Sequence, residues 1–162
     1  MSKIIATFFY VGYMRPAPGT WGSLAALPAA WLVLVFGGVW ALVVGTGVVF
    51  AVGLWATQRE TFGRENHDPS EIVIDEVAGQ WTALIPVAYG AEMMNADVLA
   101  LWPGWVAAFA LFRLFDITKP WLVGWADRRD DAMGVMLDDV IAGIFAAIGV
   151  IALAAVAHLF LI

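Results

Sequence analysis

Pro16-Ala17-Pro18-Gly19-Thr20-Trp21-Gly22-Ser23 opens a run that reaches Gln58 without one charged side chain. A single helix through that run would overshoot the ~30 Å hydrocarbon core of a bilayer, which ~20 residues span. Gly37-Gly38 is the natural breaker within it. The pair divides the run into helices over roughly 20–36 and 39–57. Both halves are short for a crossing, so they read either as two membrane passes or as a re-entrant hairpin.

The composition agrees with lipid contact. The 162 residues are 62% hydrophobic and only 14% charged, where soluble domains run near 45–50% and ~25%. That length is one domain, covering 1–162, and the N-terminus lacks the layout of a cleaved signal. The fold expected is all-α: a polytopic helical membrane protein with about five membrane helices. No cysteine is present, which excludes thiol chemistry and thiolate metal sites, and two histidines, His67 and His158, are too few for a multi-histidine zinc site. A net charge of −6 without a basic stripe excludes nucleic acid as a partner. A metal here would be held by oxygens, which suits magnesium or manganese.

Outward from the uncharged run, Lys3 to Arg15 is mixed and fits the membrane interface. On the other side, Asp68-Pro69-Ser70-Glu71 reads as N-cap, proline at the first helical position and capping-box acid. It predicts a third helix over roughly 69–90. A fourth runs over roughly 98–118 until Lys119-Pro120 stops it, and a charged loop spans 121–136. The last helix starts near Asp138 and continues to Ile162. With the N-terminus in the cytoplasm and five crossings, all eight Lys and Arg fall on the cytoplasmic side.

That topology brings three sets of charges to one membrane face. Glu71 and Asp75 are spaced to share a helix face, with Glu76 beside them. Asp68 and Glu71 are explained equally well by capping. Asp75 and Glu76 lie past the cap, and a solvated helix end is their bland reading. Arg113 and Asp116 are spaced as an internal ion pair, and with Lys119 and Arg128 they also supply cations suited to phosphate. Asp138 and Asp139 suit the positive end of a helix dipole, but two adjacent aspartates at a membrane entry favour metal ligation. Gly19, Thr20 and Ser23 offer an anion cradle at a helix start, or simple caps. His67 adjoins the acidic cluster, His158 has no assigned role, and the nine tryptophans fit interface anchoring. Carboxylates from three helices would repel one another unless a hard divalent cation joined them. Such a site is equipped for metal-assisted hydrolysis of a phosphate ester at a membrane surface.

Four motifs, GTWGS at 19–23, DPSEIVIDEVAGQW at 68–81, FRLFDITKPW at 112–121 and GVMLDDVIAG at 134–143, resemble the phosphatidylglycerophosphatase A family in order and separation. The resemblance covers nearly the whole chain. It implies magnesium-dependent removal of the terminal phosphate from phosphatidylglycerophosphate, an anionic phospholipid, at the cytoplasmic face of a bacterial inner membrane. The metal set expected is Glu71, Asp75, Glu76, Asp116, Asp138 and Asp139. Gly19, Thr20, Ser23, Arg113, Lys119 and Arg128 are expected around phosphate. With no histidine or cysteine nucleophile, the implied attacker is a metal-activated water, with Asp75, Glu76 or Asp139 as base. Two departures stand out: Trp121-Leu122-Val123 follows Lys119-Pro120 where the family has x-Pro-Ile, and Asp131-Ala132 replaces a glycine pair. The rival classes are an ion-coupled transporter, another lipid-phosphate phosphatase and a membrane-anchored assembly subunit.

Overall fold

A computed structural model describes residues 1–64, 66 and 68–161. His67 and Ile162 therefore lie outside the described residues. The regular structure among those residues is all helical, without a strand: α1 (Ser2–Ala6), α2 (Pro18–Thr61), α3 (Ile74–Met93), α4 (Trp102–Thr118), α5 (Leu122–Asp127) and α6 (Ala132–Leu161), with 3₁₀ turns at Val11–Tyr13 and Val98–Leu101. Three segments are long and apolar enough to cross a membrane: Pro18–Thr61, Val98–Thr118 and Ala132–Leu159. The expected all-helical membrane architecture holds at that level, and α3 falls outside this set.

α2 is two helices folded at Gly38. That residue has φ 69° and ψ −170°, in the region glycine enters without a Cβ penalty. Gly22 in the first half packs on Val73 and Gly53 in the second packs on Ile74, both at the start of α3, while Gly38 lies near Glu92 at its far end. The halves thus run side by side in opposite directions.

α3 is the central stave. It packs against α2, α4 and α6, and its buried residues extend from Ile74 to Ala91 around most of its circumference. Trp81 fills the space between the α2 halves: its indole N–H donates to the Ala26 carbonyl at 2.9 Å, and its ring lies against Gly45. The outer helices instead expose large apolar groups, among them Phe36, Trp40, Val44, Val106 and Ile148. A belt of that kind has no place in water and suits lipid.

Three expected boundaries are corrected. The third helix begins at Ile74, not near 69, with Val73 at its N-cap and no side-chain cap. The cause is non-local: the Val73 N–H donates to the Ala6 carbonyl at 2.9 Å, and Gly12 packs on the Glu71 backbone. The N-terminal segment therefore holds 71–73 out of the helix, and Asp68 and Glu71 form no capping box. The loop expected over 121–136 contains α5, and α6 begins at Ala132. Asp138 and Asp139 consequently stand in its second turn, where a dipole role is weaker.

Candidate active site

At the end of the bundle where α3 and α6 begin and α4 ends, one cavity of about 230 Å³ gathers the chain's acidic motifs. Asp68, Asp75, Glu76, Asp116, Asp138 and Asp139 line it, with Arg113 and Lys119. Six carboxylates against two cations leave a marked excess of negative charge. Asp75, Glu76, Asp138 and Asp139 are also buried, so the repulsion is poorly screened by water.

Local folding fixes each group. Asp75 and Glu76 occupy the first turn of α3, and one Asp75 oxygen accepts the Glu76 N–H at 3.0 Å. The same arrangement recurs on α6, where Asp138 accepts the Asp139 N–H at 3.0 Å. Glu76 is the most heavily bound carboxylate. Arg113 Nη1 donates to its two oxygens at 2.7 and 2.6 Å, and the Ser23 hydroxyl donates to Oε2 at 2.7 Å. Arg113 also pairs with Asp116, one turn along α4, at 2.9 Å. Lys119, in a left-handed C-cap conformation after α4, donates to Asp138 at 3.0 Å and is paired with Asp127.

Two groups that line the cavity from outside the spanning segments have shifted acidities. Partial burial works against the Lys119 ammonium, but the hydrogen bond to Asp127 and the attraction of Asp138 outweigh it and raise its pKa. Burial of the carboxyl raises Asp68, with the Lys119 charge pulling the other way.

Oxygens of Glu76, Asp116 and Asp139 lie within 4.8 Å of one another. Three hard carboxylate donors from three helices fit a divalent cation of the magnesium or calcium type. Such an ion would also relieve the charge excess.

The expected site residues divide into three groups. Asp75, Glu76, Asp116, Asp138, Asp139, Arg113, Lys119 and Gly19 meet at the cavity. Glu71 does not line it; released from α3, its carboxylate pairs with Arg64 at 3.6 Å. Thr20 and Ser23 do not line it either: Ser23 is fully buried and supports Glu76 instead. Arg128 lines an adjoining cavity of about 320 Å³ with Asn66, Arg129 and Asp130, and the two cavities share Asp68 and Asp138 as walls. His158 lies at the opposite end of the bundle in an apolar groove. The sequence reading missed Gln80, fully buried one turn below Glu76. An amide in an otherwise apolar stretch was the signal available for it.

A family model described as Phosphatidylglycerophosphatase A matches residues 4–154. A protein of that name from Haemophilus influenzae is 36% identical over 151 residues, covering 93% of this chain and 86% of its own. Its namesake from Escherichia coli is 36% identical over 148 residues, covering 89% and 78% respectively. A putative phosphatidylinositol-3-phosphatase from Bacteroides thetaiotaomicron is 37% identical over 152 residues, covering 90% and 88%. No solved structure matches.

Proposed function

The chain belongs to the phosphatidylglycerophosphatase A family and is a phosphatase, and from that premise we propose that it removes the terminal phosphate of phosphatidylglycerophosphate in a magnesium-dependent hydrolysis. The products are phosphatidylglycerol and inorganic phosphate. The observation that carries this reading is the cavity in which six carboxylates and two cations from separate helices face one another, inside a bundle whose flanks are apolar.

In this reading Glu76, Asp116 and Asp139 hold the metal, with Asp75 and Asp138 close by. A bound magnesium ion supplies Lewis-acid polarisation of the phosphate and lowers the pKa of a coordinated water. The protein's own groups do the rest. Arg113 and Lys119 meet the phosphate oxygens and the charge that grows on them. Ser23 and Arg113 fix the Glu76 carboxylate in one orientation, and Gly19 lies close against that carboxylate, bringing the backbone near the reacting group. Asp75, Glu76 and Asp139 are the candidates to take the proton from the attacking water. Arg128, across the Asp68–Asp138 wall, faces the next part of the headgroup, the phosphodiester.

The whole chain, 1–162, acts as one catalytic unit in a bacterial inner membrane. The two halves of α2, α3, the 98–118 segment and α6 make five crossings, and the site faces the cytoplasm. Supporting that orientation, all eight Lys and Arg lie in segments that the topology puts on the side of the site. A second reading, hydrolysis of another lipid phosphomonoester, is favoured by the Bacteroides relative, whose name carries an inositol headgroup. The test is release of inorganic phosphate by purified protein in mixed micelles, with phosphatidylglycerophosphate and phosphatidylinositol 3-phosphate compared side by side. Release from the first that stops on chelation and returns with magnesium is the expected result. Equal release with chelator present would reject the metal, and preference for the inositol lipid would select the second reading.

A further inference from the structure

Among the described residues, the buried side-chain polar atoms without a hydrogen-bond partner in the protein are Thr57 Oγ1, both amide atoms of Gln80, and Arg113 Nε. Gln80 is the most demanding of these. Its side chain is fully buried, and an amide with neither donor nor acceptor satisfied is costly in an apolar setting. Native proteins rarely leave such a group unanswered.

Helix register brings the Gln80 and Arg113 orphans together. Glu76, Gln80 and Val87 fall on one stripe of α3. Glu76 meets Arg113 on α4, and Val87 packs on Gly104 of the same helix. Gln80 lies between these two contacts, so it too faces α4. Gly79 packs on the Phe112 ring and Glu76 on the Arg113 guanidinium, which places that guanidinium beside the first turns of α3. The Gln80 side chain leans toward the start of its helix, as helical side chains do, and that carries its amide up to the level of the guanidinium. Gln80 offers an acceptor oxygen and two donor hydrogens, and Arg113 offers the unpaired Nε–H.

We infer that ordered water bridges the Gln80 amide to the Arg113 Nε–H beneath Glu76, making Gln80 a positioning residue for the guanidinium. Buried water takes this role where two or more polar groups converge in an enclosed place. The bridge fixes the inner edge of the arginine, while Glu76 and Asp116 hold its Nη1. The arginine then presents one orientation to the carboxylate cluster. The inference rests on the proposed phosphatase reading only where activity is measured.

The experiment is a double-mutant cycle of Gln80→Leu and Arg113→Lys, read first by thermal unfolding in detergent. Lysine keeps a positive charge but has no Nε–H. With the bridge present, Gln80→Leu lowers the midpoint in the otherwise native protein, because it strands the Nε–H, and leaves it unchanged or raises it beside Arg113→Lys. A midpoint raised by Gln80→Leu in both backgrounds means an amide with no partner and overturns the inference, as does strict additivity. The second readout is phosphate release in the Arg113 background: Gln80→Leu is expected to lower kcat about tenfold (about 1.4 kcal/mol) with KM unchanged. A raised KM with normal kcat also counts against a positioning role. Absence of phosphate release by the native protein would sink the phosphatase reading and leave the unfolding cycle to decide on the bridge.

Discussion

Gly143 on α6 packs directly on the backbone of Gly79 on α3, whose carbonyl fills the space a side chain would need at Gly143. Small residues at a crossing let membrane helices approach closely. Here the close approach has a chemical result. Asp75 and Asp139 each stand one turn before these glycines, so the crossing brings two buried carboxylates to one cavity. A Cβ at Gly79 would meet Phe112 Cε2 at 2.5 Å and the Asp139 carbonyl at 2.6 Å. Gly79→Ala is therefore expected to destabilise by about 1–3 kcal/mol through overpacking, and to reduce activity more than an alanine on the lipid-facing side. Thermal midpoint and phosphate release, measured on the same preparations, check both. An unchanged midpoint would show that the helices separate without cost.

The carboxylates themselves are the next test. Asp139→Asn and Asp75→Asn keep size and remove charge, and each is expected to lower turnover by more than ~100-fold, about 2.7 kcal/mol or more. Asp139→Asn should also raise the magnesium concentration needed for half-maximal rate, since Asp139 is one of the three residues whose oxygens converge. Titrating magnesium against each variant distinguishes loss of a ligand from loss of a proton acceptor. Near-normal turnover in both variants would remove them from the site.

Ser23 separates support from contact. Its hydroxyl donates to Glu76 at 2.7 Å, yet it does not line the cavity. A hydrogen bond to a charged group contributes about 1.5–3 kcal/mol, so Ser23→Ala is expected to lower kcat roughly tenfold or more while KM for the lipid stays near native. A large KM rise with kcat intact would place the hydroxyl on substrate instead.

Much of this was legible in the sequence, for identifiable reasons. The charge-free run and Gly37-Gly38 give the α2 hairpin because lipid tolerates neither charge nor unpaired backbone. The acidic motifs converge because they stand at helix ends that the up-and-down order of the helices puts at one end of the bundle, and the small residues Gly79 and Gly143 then let those helices close on each other. Local pattern failed where distant contacts overrule it. Asp68-Pro69 has the chemistry of a helix start, but the contacts of Ala6 and Gly12 hold the following residues in a turn outside the helix, and Glu71 loses its place on the α3 face. Ser23 looked like part of an anion cradle, and only the packing of α2 on α3 turns its hydroxyl inward to Glu76. α5 is too short to announce itself by periodicity.

Lys119 makes a pH-dependent contribution whose sign follows from its raised pKa. The folded value lies above the ordinary 10.5, so the stabilisation from its ion pairs is fully present below 10.5 and declines as pH rises through the folded value. The midpoint difference between native protein and Lys119→Met should thus shrink as pH rises into strong alkali. A difference that narrows between pH 6 and 8, both below that ordinary 10.5, would mean that another group dominates.

Arg128 tests how far the site extends beyond the reacting phosphate. It lines the cavity adjoining the acidic one, and Asp68 and Asp138 are walls of both. Lys119 sits at that boundary, bound to Asp138 on the shared wall. A lipid with a terminal phosphate and a phosphodiester could place one anion on each side. Its diester contact is the same in ground and transition states, and uniform binding of that kind acts on KM and leaves kcat alone. Arg128→Gln is accordingly expected to raise KM for phosphatidylglycerophosphate about tenfold with kcat within a factor of two. The same variant should act almost normally on phosphatidate, which has no second phosphate to lose. Equal losses on both lipids would return Arg128 to a structural part in the α5–α6 connection, and a fall in kcat on both would bring it into contact with the reacting group.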